Sequence, residues 1–251
     1  MKTDTPLTGK RALVTGASSG IGRAIAQDLA RHGCHVALLA RREERLHETA
    51  ALVEAEGSTA QVIPVDLADT TMTRQAVAAA ASAFGGLDIV INAAGIGRQS
   101  KLMDGNIEDW KDMFDINVMA LAVVTHEAIP HFPEGGGHIV NISSMSGHRV
   151  PGKGGFYAAT KFAVRAMTEG LRQELREQNN FTRVSSISPG FVDTELLDEY
   201  FSGGDTDANY TAIGYSILQP EEIAELVIHQ LTMPPTAEVT DILVRPTGQK
   251  S

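Results

Sequence analysis

Short apolar runs alternate with longer amphipathic segments along most of the 251 residues. The apolar runs have the length of buried strands, and the amphipathic segments space their apolar residues as helices do. About seven strands are predicted, at residues 11–15, 35–40, 61–65, 87–91, 137–142, 182–188 and 241–245. Helices are predicted at residues 21–32, 42–56, 70–84, 109–128, 156–178 and 221–232. The alternation predicts βαβ units, and therefore an α/β fold with a parallel sheet.

The domain organisation predicted from the sequence is simple, because no linker or shift in composition divides the chain. Residues 1–251 are expected to form one domain. Pro64 cannot donate to a sheet ladder, which favours an edge position for the third strand. Residues 192–216 are acidic and irregular and do not fit the alternation. They follow the end of a strand, where open α/β sheets bind ligands, so a substrate lid is favoured over a disordered loop.

A glycine-rich loop joins the first strand to the first helix. Gly16 permits a tight turn, Gly20 lets the backbone approach a pyrophosphate, and Gly22 lets the helix pack close to the sheet. The free N–H groups of the helix N-terminus then favour an anion. The spacing is not that of the commonest dinucleotide fingerprint, but the loop has the required context between strand and helix. It predicts a dinucleotide site that includes Gly16, Ser18, Ser19, Gly20, Ile21 and Gly22.

Two arginines follow the second strand, at the position that distinguishes the two nicotinamide dinucleotides. A carboxylate there would hold the ribose 2′-hydroxyl of NAD, whereas an arginine accommodates the 2′-phosphate of NADP. The strand ends at Ala40 and continues with Arg41 and Arg42, and the next carboxylate, Glu43, already lies in a helix. Alternatively, both arginines are solvated residues, but cations at a helix N-terminus oppose the helix dipole. The sequence therefore favours NADP(H).

A phenol and an ammonium lie four residues apart at Tyr157 and Lys161, on one face of a predicted helix. A nearby positive charge favours the phenolate, which makes a tyrosine usable as an acid or base. The hydroxyl of Ser144 follows the fifth predicted strand, so it and the pair can converge on one small substrate. The spacing alone is common, and an exposed pair without a catalytic role is the alternative explanation.

The composition excludes several function classes. The 31 acidic residues outnumber the 21 basic ones and give a formal charge of −10, which argues against binding nucleic acid or an anionic membrane. Cys34, the single cysteine, cannot form an internal disulfide and is expected to be a small buried residue. No run of 18 apolar residues occurs and no histidines show ligand spacing. We therefore expect a cytoplasmic protein without a metal site.

A series of motifs makes the chain resemble the short-chain dehydrogenase/reductase family over essentially its whole length. The motifs are Thr15-Gly16-x-x-x-Gly20-Ile21-Gly22, Asp66, Asn92-Ala93-Ala94-Gly95, Asn117, Ser144, Tyr157-x-x-x-Lys161 and Pro189-Gly190. Ala93 departs from the family pattern, which more often has a second asparagine there. The chain looks most similar to the subgroup of NADP-dependent ketosteroid reductases, hydroxy-acid (serine-type) dehydrogenases and clavulanate dehydrogenase. The resemblance implies a doubly wound Rossmann-type sheet of order 3-2-1-4-5-6-7, and a homotetramer or dimer.

The resemblance also implies residue roles. Tyr157 would exchange a proton with the substrate oxygen, while Lys161 would lower the pKa of Tyr157 and hold the nicotinamide ribose. Ser144 would hydrogen-bond the substrate oxygen, and Asn117 would hold a water that relays protons from Lys161. The remaining cofactor contacts implied are Asp66 and Leu67 at the adenine, Asn92 and Gly95 at the adenosine ribose, Thr194 at the pyrophosphate or carboxamide, and Ala93, Pro189, Gly190 and Val192 elsewhere on the cofactor.

The predicted function is an NADP(H)-dependent oxidoreductase that transfers a hydride between the nicotinamide and a ketone or secondary alcohol. A catalytically silent dinucleotide-binding sensor or scaffold is the alternative, but it predicts loss of the Ser144, Tyr157 and Lys161 set, which is present. A hydroxy-acid dehydrogenase stays open among the enzymes: Arg149 would bind a substrate carboxylate, or it is a structural arginine at the pocket rim or a subunit contact. The substrate pocket is expected to include residues 96–103 and 146–156 with Phe191, Tyr200 and Tyr215, and these do not identify the substrate.

Overall fold

The sheet of the computed structural model confirms the predicted α/β class. The structure describes residues 6–201 and 213–249, and within them seven parallel strands have the order β3-β2-β1-β4-β5-β6-β7. This is the doubly wound, Rossmann-type order. Pro64 lies on the edge strand β3, as predicted. The strands are β1 Arg11–Thr15, β2 His35–Ala40, β3 Ala60–Pro64, β4 Ile89–Asn92, β5 His138–Ile142, β6 Arg183–Pro189 and β7 Asp241–Val244.

The helices begin and end mostly where local sequence signals place them. The side chain of Asp69 accepts hydrogen bonds from two N–H groups of the first turn of α3, and Gly85 ends that helix with a left-handed φ of 71°. The helices are α1 Gly20–Arg31, α2 Glu43–Ala55, α3 Thr70–Phe84, α4 Ile107–Phe114, α5 Leu121–Ala128, α6 Gly155–Glu177, α7 Glu195–Phe201 and α8 Pro220–Thr232.

Two apolar cores lie on opposite faces of the sheet. Successive residues of a strand point to opposite faces, so Val14 of β1 belongs to one core and Leu13 to the other. Helices α1, α2 and α8 cover the first face, and α3, α5 and α6 cover the second. Each helix contributes fully or largely buried residues, for example Ile25, Leu46 and Ile223 on the first face and Val77, Val124 and Leu175 on the second. Cys34 is buried in the first core, as expected.

Two segments differ from their predictions. The helix predicted at residues 109–128 is divided, because a π-helical stretch at Asp115–Ala120 separates α4 from α5. The segment at residues 192–216 was expected to be irregular, but it contains helix α7, and Val192 forms a parallel bridge with Leu218. The part of the predicted lid at residues 202–212 lies outside the described residues. None of the described helices is long and apolar enough to cross a membrane.

Candidate active site

One large cavity, of about 600 Å³, opens at the carboxyl ends of the strands. The sheet order reverses between β1 and β4, and ligands of doubly wound sheets bind at such a reversal. The predicted residues that line the cavity are Gly16, Ser18, Ser19, Gly20, Ile21, Gly22, Arg41, Arg42, Asp66, Leu67, Ala93, Gly95, Ser144, Tyr157, Lys161, Pro189, Gly190, Val192 and Thr194. The predicted dinucleotide loop and the predicted catalytic side chains therefore share one cavity.

The glycines of the first loop leave room that side chains would fill. A Cβ at Gly16, whose φ is +67°, would lie 2.8 Å from the Cα of Ala94, and a Cβ at Gly22 would collide with the carbonyl oxygen of Gly16. A Cβ at Gly20, whose φ is +51°, would lie 3.1 Å from Cγ2 of Thr194. The loop can therefore pass close to the loop after β4 and leave the N-terminus of α1 open to the cavity. This arrangement fits a pyrophosphate.

The two arginines lie at the same end of the cavity but differ in their partners. Arg42 forms a 2.7 Å ion pair with Glu195 of α7 and donates hydrogen bonds to Ser19 Oγ at 2.7 Å and Ser18 Oγ at 3.2 Å. Partial burial would raise the pKa of Glu195, but the hydrogen bond and charge of Arg42 hold it below its usual value. Within residues 6–201 and 213–249, the exposed side chain of Arg41 has no hydrogen bond or ion pair.

Ser144, Tyr157 and Lys161 meet on one wall of the cavity. Ser144 caps a 3-10 turn at Met145–Gly147 and shares a hydrogen bond with the Tyr157 hydroxyl. Lys161 donates a 3.0 Å hydrogen bond to the carbonyl oxygen of Ile142, and its Nζ lies 5.9 Å from the centre of the Tyr157 ring. Only 7% of Tyr157 and 4% of Lys161 is exposed, so the pair is not a solvated surface pair.

Burial dominates the acidity of this pair. It raises the pKa of Tyr157 to about 12, against the hydrogen bond from Ser144, which lowers it. Burial also lowers the pKa of Lys161 to about 8. Burial therefore outweighs any effect of Lys161 on the pKa of Tyr157 in this structure, and the expectation that Lys161 lowers this pKa stays a prediction.

Asn117 lies beside the wall formed by Ser144, Tyr157 and Lys161 but is not among the residues that line the cavity. Its Oδ1 accepts from the N–H of Ile96 at 2.9 Å, and its Nδ2 donates to the carbonyl oxygen of Ile96 at 2.9 Å and to Thr160 Oγ1 at 3.0 Å. A Cβ at Gly95 would lie 3.3 Å from Asn117 Oδ1 and 3.6 Å from Lys161 Nζ. Both amide hydrogens of Asn117 thus have protein partners, while its amide oxygen accepts one hydrogen bond and can accept a second. The relay water stays a prediction.

The family model described as short chain dehydrogenase matches residues 10–204. The chain belongs to the short-chain dehydrogenase family. It is 43% identical to bovine (Bos taurus) dehydrogenase/reductase SDR family member 11 over 248 residues, which cover 95% of this chain and 96% of that protein. It is an oxidoreductase of this family.

Solved structures of the family resemble the whole chain. A short chain dehydrogenase from Burkholderia cenocepacia in complex with NADP is 37% identical, with a TM-score of 0.84 over 95% of this chain and 97% of that one. L-sorbose reductase from Gluconobacter frateurii, complexed with NADPH and L-sorbose, is 30% identical, with a TM-score of 0.87 over 99% of this chain and 100% of that one.

Asn92, at the end of β4 in this short-chain dehydrogenase, is turned away from the cavity. Its Nδ2 donates to Thr125 Oγ1 at 3.0 Å and to Asn141 Oδ1 at 2.9 Å, and the residue is not part of the lining. The predicted ribose contact therefore cannot come from this side chain without a rearrangement. The next two N–H groups, at residues 93–94, both donate to Thr15 Oγ1 at 3.1 Å. Thr15 thus fixes the loop after β4 although Ala93 lacks an amide.

Of the aromatic residues expected at the substrate pocket, Phe191 and Tyr200 line the cavity and Tyr215 does not. The sequence reasoning missed Gln249 near the C-terminus, which lines the cavity and accepts a 3.3 Å hydrogen bond from the N–H of Phe191. No local signal marks this residue, because the contact joins segments 58 residues apart.

Arg149 also lines the cavity, and its Nε is buried with no hydrogen-bond partner among the residues that the structure describes. His148 is directed elsewhere, with Nε2 3.0 Å from Ser188 Oγ and 3.2 Å from Asp241 Oδ2. In the described part of the chain, no three His, Cys, Asp or Glu side chains converge as metal ligands would.

Proposed function

We propose that this short-chain dehydrogenase uses NADP(H) to interconvert a ketone and a secondary alcohol, with Tyr157 as the acid and base. The observation that carries the proposal is the buried contact between the Tyr157 and Ser144 hydroxyls, beside Lys161, in the cavity that begins at the glycine loop. Bound NADPH would supply the hydride. The protein would hold the substrate carbonyl between the nicotinamide of a cofactor bound at the glycine loop and the wall formed by Ser144, Tyr157 and Lys161.

The protonation states favour reduction. A phenol whose pKa is raised to about 12 stays protonated near neutral pH and can give its proton to the substrate oxygen as negative charge develops there. Ser144 would turn its single hydroxyl hydrogen from Tyr157 to that oxygen and so donate a second hydrogen bond to it. Lys161, which carries its charge below a pKa of about 8, then favours the phenolate that remains.

We also propose the preference for NADP(H). Arg41 is unpaired in the described structure and lines the cavity, and β2 ends without a carboxylate at Ala40. Arg42 can add a second cation if it leaves Glu195. The structural relatives from Burkholderia and Gluconobacter are complexes with NADP and NADPH, which supports the same choice here. The proposed contacts are the predicted cofactor residues that line the cavity, with α7 as the described part of a substrate lid.

A screen of NADPH oxidation against a panel of ketones, diketones, quinones and keto acids tests the activity. Tyr157→Phe should reduce kcat roughly 10²- to 10⁴-fold while leaving the NADPH dissociation constant nearly unchanged, because only the proton donor is lost. Retained reductase activity in this variant would contradict the proposed role. An unmodified protein that binds NADPH but reduces no member of the panel would favour the silent sensor.

Hydroxy-acid oxidation is a second candidate, favoured by two cations on the cavity wall. Arg149 and Lys153 both line the substrate end, and a guanidinium binds a carboxylate well. A keto acid compared with its methyl ester separates the candidates, since only the acid can use this charge. A preference for the ester would leave the neutral ketone as the better class.

We propose that the protein forms a homotetramer or dimer through α4 and α6. Large apolar side chains are exposed on these neighbouring elements and on the π-helical stretch: Phe114 is 43% exposed, Met119 39% and Phe162 40%. Exposed aromatic and methionine side chains are typical of interface cores. The cytoplasmic location stays a prediction.

A further inference from the structure

Helix α7 covers the catalytic tyrosine with a second tyrosine. The rings of Tyr157 and Tyr200 meet edge to face, with centroids 5.6 Å apart and planes 60° apart. Both residues line the cavity. Because Tyr157 acts through its hydroxyl, a ring beside it restricts the space next to the reacting carbon.

Two glycines form a slot for the Tyr200 ring. A Cβ at Gly97 would lie 3.3 Å from Cδ2 of Tyr200 and 3.4 Å from Cε2 of Tyr157. A Cβ at Gly154 would collide with the hydroxyl oxygen of Tyr200. Gly154 has φ of −112° and ψ of 31°, so its backbone does not require glycine. A Cβ there would also lie 3.0 Å from Cγ of Pro151, so the space that Tyr200 and Pro151 occupy explains the glycine.

Charged contacts hold the helix that carries this ring. Arg98 contacts Glu199 of α7 at 3.3 Å, and it contacts Asp109 and Asp112 of α4 at 3.1 and 2.8 Å. Glu195, in the first turn of α7, pairs with Arg42. The position of the Tyr200 ring is therefore fixed by its packing against the two glycines and by ion pairs near both ends of α7.

We propose that Tyr200 is a specificity-determining residue, which limits the bulk of one substituent of the carbonyl substrate by filling the slot between Gly97 and Gly154. The inference rests on the proposed reductase function. It names the substrate class more narrowly, as carbonyl compounds with one small substituent beside the reacting carbon.

Two dicarbonyl probes of different bulk test the proposal: 2,3-butanedione, and 4,5-octanedione, in which both substituents of each carbonyl carbon are larger, each with saturating NADPH. Tyr200→Ala should raise the ratio of kcat/KM for the bulky over the small probe about tenfold or more, since differences of one or a few carbons in an apolar pocket have effects of this size. Tyr200→Phe keeps the ring and should leave the ratio nearly unchanged. A ratio that Tyr200→Ala does not alter, or that Tyr200→Phe alters equally, would overturn the proposal.

A double-mutant cycle tests the slot itself. Gly154→Ala should lower the melting temperature by roughly 2–8 °C and change the probe ratio in the presence of Tyr200, because the added methyl overpacks the slot. Both effects should be clearly smaller in the Tyr200→Ala background, where of these contacts only the 3.0 Å approach to Cγ of Pro151 remains. Gly152→Ala is the matched control, because a Cβ there would have no described atom within 4 Å. Equal effects of Gly154→Ala in the two backgrounds would refute the slot.

These outcomes separate the two proposals. If the unmodified protein reduces neither probe nor any other carbonyl compound, the reductase function fails and the specificity role fails with it. If it reduces both probes but the ratio of their kcat/KM values is the same in Tyr200→Ala, the reductase function stands and only this inference is lost.

Discussion

Glu195 is the residue whose replacement best tests the proposed cofactor site. Its carboxylate pairs with Arg42 at 2.7 Å, beside Ser18 and Ser19 of the glycine loop. A 2′-phosphate that binds Arg42 must displace this carboxylate and tolerate its negative charge. We therefore expect Glu195→Gln to increase the affinity for NADPH and to change the affinity for NADH much less.

The size of the effect follows from the exposure of the pair. The side chain of Arg42 is 46% exposed and that of Glu195 is 53% exposed, so the pair is largely solvated. Exposed ion pairs contribute about 0.2–1 kcal/mol of stability. In Glu195→Gln, the binding of NADPH would no longer have to break this pair. Removing a unit charge roughly 6 Å from the phosphate relieves about 0.7 kcal/mol per phosphate charge in water, before screening. Together these terms give about 1 kcal/mol, or about a fivefold lower dissociation constant.

Fluorescence titration with NADPH and NADH at low and high salt measures this effect. The gain for NADPH should shrink at about 0.5 M salt, because screening weakens exposed charges. Glu48→Gln is the control, since Glu48 has a similarly exposed side chain (51%), pairs with Arg23 and Arg45, and does not line the cavity. Equal gains for NADPH and NADH, or an equal gain in Glu48→Gln, would refute the reasoning.

Three further predictions follow from burial. Because Lys161 has a pKa of about 8 and Tyr157 of about 12, kcat/KM for reduction should fall as the pH rises through about 8; a profile flat to pH 10 would contradict a role for the ammonium. Burial lowers the pKa of His138 to about 3, so the unfolded state binds one more proton below its own pKa near 6.5. The contribution of neutral His138 to stability is then fully present above pH 6.5, and the free energy of unfolding falls by up to about 2 kcal/mol at pH 5. Urea unfolding should show a smaller fall in His138→Gln. Phe162→Glu should reduce the mass measured by light scattering, whereas Phe181→Glu, on a side chain 69% exposed, should not.

The sequence was sufficient to predict those features that depend only on residues close together in the chain. Helix α3 has the predicted bounds because Asp69 and Gly85 provide its cap and its end locally. The edge position of β3 could be predicted from Pro64, because the lack of a backbone N–H is a property of that one residue. The glycine loop could be assigned for the same reason, since Gly16 and Gly20 adopt the left-handed φ values that favour glycine.

Features that depend on distant contacts could not be predicted. The π-helical stretch interrupts an apolar pattern that reads as one helix, and the amide of Asn117 within it bonds the backbone of Ile96, 21 residues away. The pKa of Tyr157 was predicted from a charge one helical turn away, but the opposing effect of burial depends on the elements packed around it.

Helix α7 shows most clearly why the contacts of the site could not all be predicted from the sequence. Glu195 and Glu199 contribute to an acidic segment that a sequence cannot distinguish from a solvated loop. In the fold, Glu195 meets Arg42, 153 residues away (195 − 42), and Glu199 meets Arg98. The same short helix also places Tyr200 against Tyr157. The proposed contact of the cofactor with Arg42 would therefore act on the helix that packs against Tyr157, so cofactor affinity and substrate selectivity should be measured together in every α7 variant.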